Sequence, residues 1–179
     1  MKIILNVVGF VLIIVSLQAC EKEIIESNEI KQKIVFEFER INHAWGEEHF
    51  GWLIDSLGNI HCYNLPEQWI ACDSLGSIAA SDLKTNLNKT DSICYVIDKS
   101  ELKSKFSLIE NASKGMISDP KFNRFDAGSF SFYGFIFNSE KQLYKRVLLK
   151  QFGDFILENN TVEAKELSNW LLDIQHKIK

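Results

Sequence analysis

Only two prolines, Pro66 and Pro120, interrupt the 179-residue chain, and no repetitive or low-complexity segment divides it. A repeat architecture and a long disordered linker are therefore excluded. Basic residues are in the minority, 20 against 24 acidic ones, and they are scattered. Without a basic patch the chain carries no electrostatic footprint for nucleic acid, and no block of like charge forms a tail. The apolar run near the start is shorter than the ~20 residues a helix needs to cross a bilayer. Chemical signatures are also missing. There is no G-x-S-x-G nucleophile elbow, no helical zinc-protease spacing and no zinc-finger cysteine spacing. No cofactor and no metal is expected.

What the chain does hold is core material and a distinctive start. Hydrophobic residues make up 46%, with thirteen Phe and four Trp, ample for one domain with its own core. Met1 and Lys2 are followed by a nearly uniform apolar stretch from Ile3 to Val15, then by Ser16, Leu17, Gln18, Ala19 and Cys20. A basic start, a short apolar segment and a small residue before the cut mark a secretory signal. The order Leu17-Gln18-Ala19-Cys20 resembles the lipobox of bacterial lipoproteins, with Gln18 standing where that family mostly carries a small residue. The resemblance implies cleavage before Cys20 and acylation of its sulfur, and two acyl chains on one thioether hold a protein at a membrane. Glu21, Lys22 and Glu23 resemble the acidic export tags of some Bacteroidota lipoproteins, with Lys22 breaking the acidic run. The expected organisation is a signal peptide at 1–19, a lipidated cysteine and tether at 20–32, and a single domain at 33–179.

Within that domain the pattern is mostly β. "KIVFEFERI" alternates, with Ile34, Phe36 and Phe38 on one side and Glu37 and Glu39 on the other, as in a half-buried strand. Asp55-Ser56-Leu57-Gly58-Asn59 has the form of a hairpin turn with glycine in the left-handed region. Pairing Asp55 with Asn59 sets Ile54 opposite Ile60, Trp52 opposite Cys62 and Leu53 opposite His61. Trp69 is expected to pack inward, ahead of a short helix near 78–87. "SICYVI" reads as a strand. A helix follows from Asp98 to Gly115, with Leu102, Phe106, Ile109 and Ala112 in one stripe. A second, aromatic hairpin follows. In its first strand Phe130 and Phe132 alternate with Tyr133, Phe135 and Phe137, so both faces are apolar, as in a covered central strand. The chain closes on an amphipathic helix carrying Leu167, Trp170, Leu171, Ile174 and Ile178, capped by Asn160 or Thr161. The fold class is α+β: an antiparallel sheet of about five strands built from hairpins, with two or three helices packed on one face. The stretches "AWGEEHFGWLIDSLGNIHCYNL" and "DAGSFSFYGFIF" are similar to a group of uncharacterised bacterial secreted proteins, which implies export and no particular activity.

Candidate chemistry concentrates in "HAWGEEH". Trp45, Glu47, Glu48 and His49 form a candidate ligand or partner surface, beside a plainer reading as a solvated loop. His43 and His49 lack metal-ligand spacing, and His49 and His61 fall about 13 Å apart in the hairpin register at ~3.3 Å per residue. Cys62, Cys72 and Cys94 allow three disulfide pairings or none, and any of them with His43 or His61 would be a minimal Cys-His dyad. Carboxylate pairs among Glu47, Glu48, Asp126 and Asp154 are expected by chance in so acidic a chain. The leading expectation is a lipid-anchored binding module of the cell envelope, at the outer membrane or cell surface. Its partners would be the bilayer, through acylated Cys20, and a protein, peptide or glycan. The alternatives are a small envelope hydrolase or thiol enzyme, or a purely structural envelope component. A surface aromatic patch favours the first. A cleft that brings His43 or His49 to a cysteine or carboxylate favours the second.

Overall fold

The structure, a computed structural model, describes residues 29–178. The signal segment, Cys20 and the tether as far as residue 28 lie outside the described residues. In chain order the elements are β1 (Ile34–Asn42), β2 (Glu48–Asp55), β3 (Asn59–Asn64), β4 (Ser77–Ala79), α1 (Ala80–Leu87), β5 (Ser92–Val96), α2 (Lys99–Phe106), a single turn α3 (Ile109–Ala112), β6 (Lys121–Phe122), β7 (Ser129–Asn138), β8 (Leu143–Gly153), β9 (Phe155–Glu158) and α4 (Val162–Lys177).

The nine strands form one antiparallel sheet in the order β5-β3-β2-β1-β7-β8-β9-β6, with β4 added beside β8. Tight turns dictate most of this order. Gly58 takes a φ of +92° in the turn after β2. The register that follows pairs Ile54 with Ile60, Trp52 with Cys62 and Leu53 with His61, as the turn residues predict. The sheet has more strands than the five expected because β4, β6 and β9 span two to four residues each, too few to show an alternating pattern.

On one face, α2, α3 and α4 pack over Phe36, Phe38, Trp52, Ile54, Phe132 and Leu149. The buried stripe of α4 is Leu167, Trp170, Leu171 and Ile174, and the Thr161 hydroxyl accepts from the Ala164 N–H at 3.1 Å to cap it. The long helix expected between Asp98 and Gly115 is broken into α2 and α3. Asp98 caps α2 by accepting from the Ser100 N–H at 2.8 Å.

Helices were expected on one face only, and β1 was expected to be half-buried. The structure corrects both points. α1, through Leu83 and Leu87, and the segment leading to it cover the second face, over Leu53, Phe135 and Tyr144, with Ile78 of β4 in the same cluster. As a result β1 is buried on both sides, and Glu37 and Glu39 retain only 3% and 8% of their exposure. A bulge between Ile34 and Phe36 also moves Ile34 away from Phe36 and into this second core, while Val35 joins the first. Central placement of β7 holds, with Phe132 and Phe135 buried on opposite faces. Ile30 and Gln32, in the span assigned to the tether, pack on the domain, and the Gln32 amide donates to the carbonyls of Ile34 and Phe135, both at 2.7 Å.

Candidate functional site

The loop between β1 and β2 separates the residues that "HAWGEEH" brings together in sequence. Trp45 stands at its tip, 83% exposed, with Glu47 exposed beside it. Glu48 opens β2 on the helix-covered side, where its Oε2 accepts from Arg40 Nη2 at 2.8 Å and Nε at 3.1 Å. Arg40 lies 3.9 Å over the Phe130 ring and donates to the Ala127 carbonyl. The next residue along a strand points to the other face, so His49 turns inward beneath the second face. His49 therefore shares no surface with Trp45, Glu47 and Glu48. His61 also has a separate partner, Asp55 Oδ2 at 3.0 Å.

Beneath the second face lies a cluster of buried charge. Glu37 and Glu39, two residues apart on β1, both reach Arg146 Nη1 from β8, at 3.4 and 3.2 Å. The Arg146 guanidinium lies 4.0 Å over the Tyr133 ring of β7. His49 Nε2 lies 3.3 Å from Glu39 Oε1, outside hydrogen-bond geometry. Tyr63 of β3 and Trp69 of the covering segment close over His49, their ring centroids 4.3 Å apart. A cavity of about 120 Å³ separates Glu37, Glu39 and Arg146 from Trp69, Ile70, Ala71 and Cys72.

Burial and the neighbouring Glu39 charge push the Glu37 carboxyl up from 4.5 to about 7. Burial acts on Glu39 too, but His49 and Arg146 more than offset it and hold that carboxyl below its ordinary value. Burial works against the Arg146 charge, yet Glu37, Tyr133 and Glu39 raise its pKa above the ordinary value. The Tyr63 hydroxyl is raised by burial and by the two carboxylates. Burial lifts the Cys72 thiol to about 11, the opposite of what a nucleophilic cysteine needs. Cys62 and Cys94 are joined in a disulfide between β3 and β5, leaving Cys72 free. Neither bonded cysteine can serve in a Cys-His dyad. Among the described residues no group of three or more His, Cys, Asp or Glu is placed to hold a metal ion, and no helix is long and apolar enough to cross a membrane.

The other notable place is the end of the sheet where β1 finishes. Asn42 pairs with Glu48 there, and Ile41 with Ser129. A groove of about 370 Å³ runs between Ile41–Ala44, Gly128, Ser129, Gln151, Asp154 and Phe155. The turn 126–128, which leads into β7, has left-handed φ at Asp126 and Gly128. A Cβ on Gly128 would lie 2.2 Å from the Ile41 carbonyl oxygen. Next to the groove, Phe122, Phe125 and Phe155 are 50%, 83% and 45% exposed. Phe122 contacts both others, at centroid distances of 4.7 and 6.0 Å. Sequence reasoning passed over these three because they lie in an irregular stretch or a very short strand, where no period marks them; an apolar residue amid turn residues was the only signal. The aromatic residues named from sequence are half-buried or buried, Trp45 excepted.

Compared with family profiles, with curated proteins and with solved structures, the chain matches none.

Proposed function

We propose that this protein is a membrane-anchored lipoprotein whose folded body is a binding module of the cell envelope, taking a protein or peptide partner at the aromatic end of its sheet. The carrying observation is the exposed Phe122-Phe125-Phe155 group beside an open groove, with Trp45 exposed on the same end. Contiguous exposed aromatic residues are uncommon on a protein that works alone. The rings are inclined to one another, by 55° and 76°, so they offer apolar side chains something to interlock with rather than a flat platform for a sugar. Acylation at Cys20 suits this arrangement. The nine steps from Cys20 to Glu29 span at most about 30 Å when fully extended. A tether of that reach lets the folded body stand clear of the bilayer and its aromatic end meet a partner. The disulfide supports export, because such bonds persist in oxidising compartments.

The test is a photo-crosslinking amino acid placed at Phe125 in living cells, with the equally exposed Val162 as control position. One discrete protein adduct from position 125, absent from position 162 and lost when Phe122 and Phe155 become serine, is the expected result. No adduct, or identical adducts from both positions, overturns the binding site. Cys20→Ala tests the anchor separately: unchanged processing and unchanged membrane retention overturn it.

The hydrolase or thiol-enzyme reading has one observation in its favour, the His49–Glu39 contact. The same structure commits Glu39 to Arg146, and burial lifts Cys72, the one free thiol among the described residues, to about 11, which disfavours its thiolate.

A further inference from the structure

We propose that Glu37, Glu39, Arg146 and His49 form a proton-operated latch that fastens residues 65–76 over the second face of the sheet. The groups come from three strands and meet under one covering segment, which gives them leverage over it. β1 presents both carboxylates, β8 the guanidinium and β2 the imidazole. β3 adds Tyr63, β7 adds Tyr133, and the cover adds Cys72 with Asp73 behind it. α1 contributes only the neutral Asn86.

The cover has little hold of its own. Among the described residues, 66–72 make no backbone-to-backbone hydrogen bond. Ile70 is held by the Asn86 side chain, which accepts from its N–H at 2.9 Å and donates to its carbonyl at 2.8 Å. Leu65 and Gln68 take left-handed φ values of 46° and 54° without being glycine, a strained choice that packing must impose. The cover's ends are tied by the Leu65 N–H to the His49 carbonyl and by the Arg146 N–H to the Gly76 carbonyl, both at 2.7 Å, and the Lys89 ammonium donates to the Gln68 carbonyl; between them Trp69 seats on Tyr63 and His49, directly above the charges.

Two carboxylates facing one guanidinium carry an excess negative charge unless one proton joins them. With that proton on Glu37, the Glu39–Arg146 pair is balanced and the cavity closes over a neutral carboxyl. When the proton leaves for solvent, an uncompensated carboxylate is left under the cover, and hydration is its cheapest relief. The cavity has room for roughly four waters at ~30 Å³ each, and more enter only if residues 65–76 lift. The cover is therefore closed on the acid side of neutrality and loosened on the alkaline side.

The test is amide hydrogen exchange on the full-length chain, corrected for intrinsic rates, at about pH 6 and about pH 8.5. Protection of 65–76 is expected to fall about tenfold with rising pH and to stay well below that of 162–177 throughout, so that the cover exchanges by its own opening and not by global unfolding. In Glu37→Gln the fall at 65–76 should shrink to less than about twofold. A pH-independent cover, a cover protected as strongly as 162–177 at both pH values, or a Glu37→Gln variant that keeps the full fall would each overturn the latch. If that variant does not fold, carbon-13 NMR of the Glu37 carboxyl in the unsubstituted protein replaces it. Its titration midpoint should coincide with that of the Trp69 indole signal, and midpoints separated by more than about one pH unit refute the proposal.

Discussion

The two faces of β1 are built from the same alternating sequence and solve opposite problems. On the helix side, Phe36 and Phe38 enter an apolar core, with Trp170 edge-on to Phe36 at 5.2 Å. Removal of that surface from water stabilises the fold without regard to pH. On the other side, Glu37 and Glu39 are just as deeply buried, and their stability depends on one guanidinium and one proton. The difference teaches that burial alone does not say whether a strand face is structural. The apolar face only has to be filled, whereas the charged face holds groups whose cost changes with conditions.

The largest expected effect separates the faces directly. Arg146→Met leaves two buried carboxyls without their cation and should cost about 3–5 kcal/mol at pH 8, and clearly less at pH 5, where both can take up protons. Phe36→Ala should cost a similar 3–5 kcal/mol through its cavity, equally at both pH values. Urea denaturation of the two variants at each pH checks this, and equal pH profiles would break the contrast.

Glu37→Gln sharpens it. In the folded state this carboxyl keeps its proton up to about pH 7, while the unfolded chain releases it near 4.5. Its contribution is therefore complete below about 4.5 and lost as pH rises through 7. Across that window the stability of the unsubstituted protein should decline by about 2–3 kcal/mol, at ~1.4 kcal/mol per pKa unit. The glutamine variant should be flat there and the more stable of the two above pH 7. Glu39, whose carboxyl is lowered, acts in the opposite sense and only at more acid pH.

Smaller effects bracket the comparison. Thr161→Ala removes the cap of α4 on the apolar side and should cost about 1 kcal/mol, with no pH dependence between 5 and 8 in thermal melts. Phe125→Ser, on neither face, should change stability by less than about 0.5 kcal/mol. A large loss of stability would show that the ring is structural.

Much of the scaffold was legible beforehand. The register from Asp55 to Asn59, the central placement of β7 and the apolar stripe of α4 follow from contacts close in sequence: a turn with glycine at left-handed φ, alternation at period two, and spacing at three and four. The charged cluster was not legible, although Glu37, Glu39 and His49 were all noted. Alternation says that two faces of a strand differ, and acidic residues on one of them are most simply assigned to water. Residues 65–87 overrule that assignment from the far side of β3, and no local pattern announces it. The exposed phenylalanines were missed for a related reason: exposure belongs to what is left uncovered once everything else has packed.

Sequence alone therefore determined the long strands and the closing helix, how β2 aligns with β3, and the expectation of an acylated Cys20, because each depends on residues within a few positions of one another. Tertiary structure alone decided that Cys62 pairs with Cys94, that two glutamates are buried around Arg146, and which aromatic rings remain in contact with solvent. Those outcomes depend on which distant surfaces meet, and the free energy of a charge or a ring is set by what finally surrounds it.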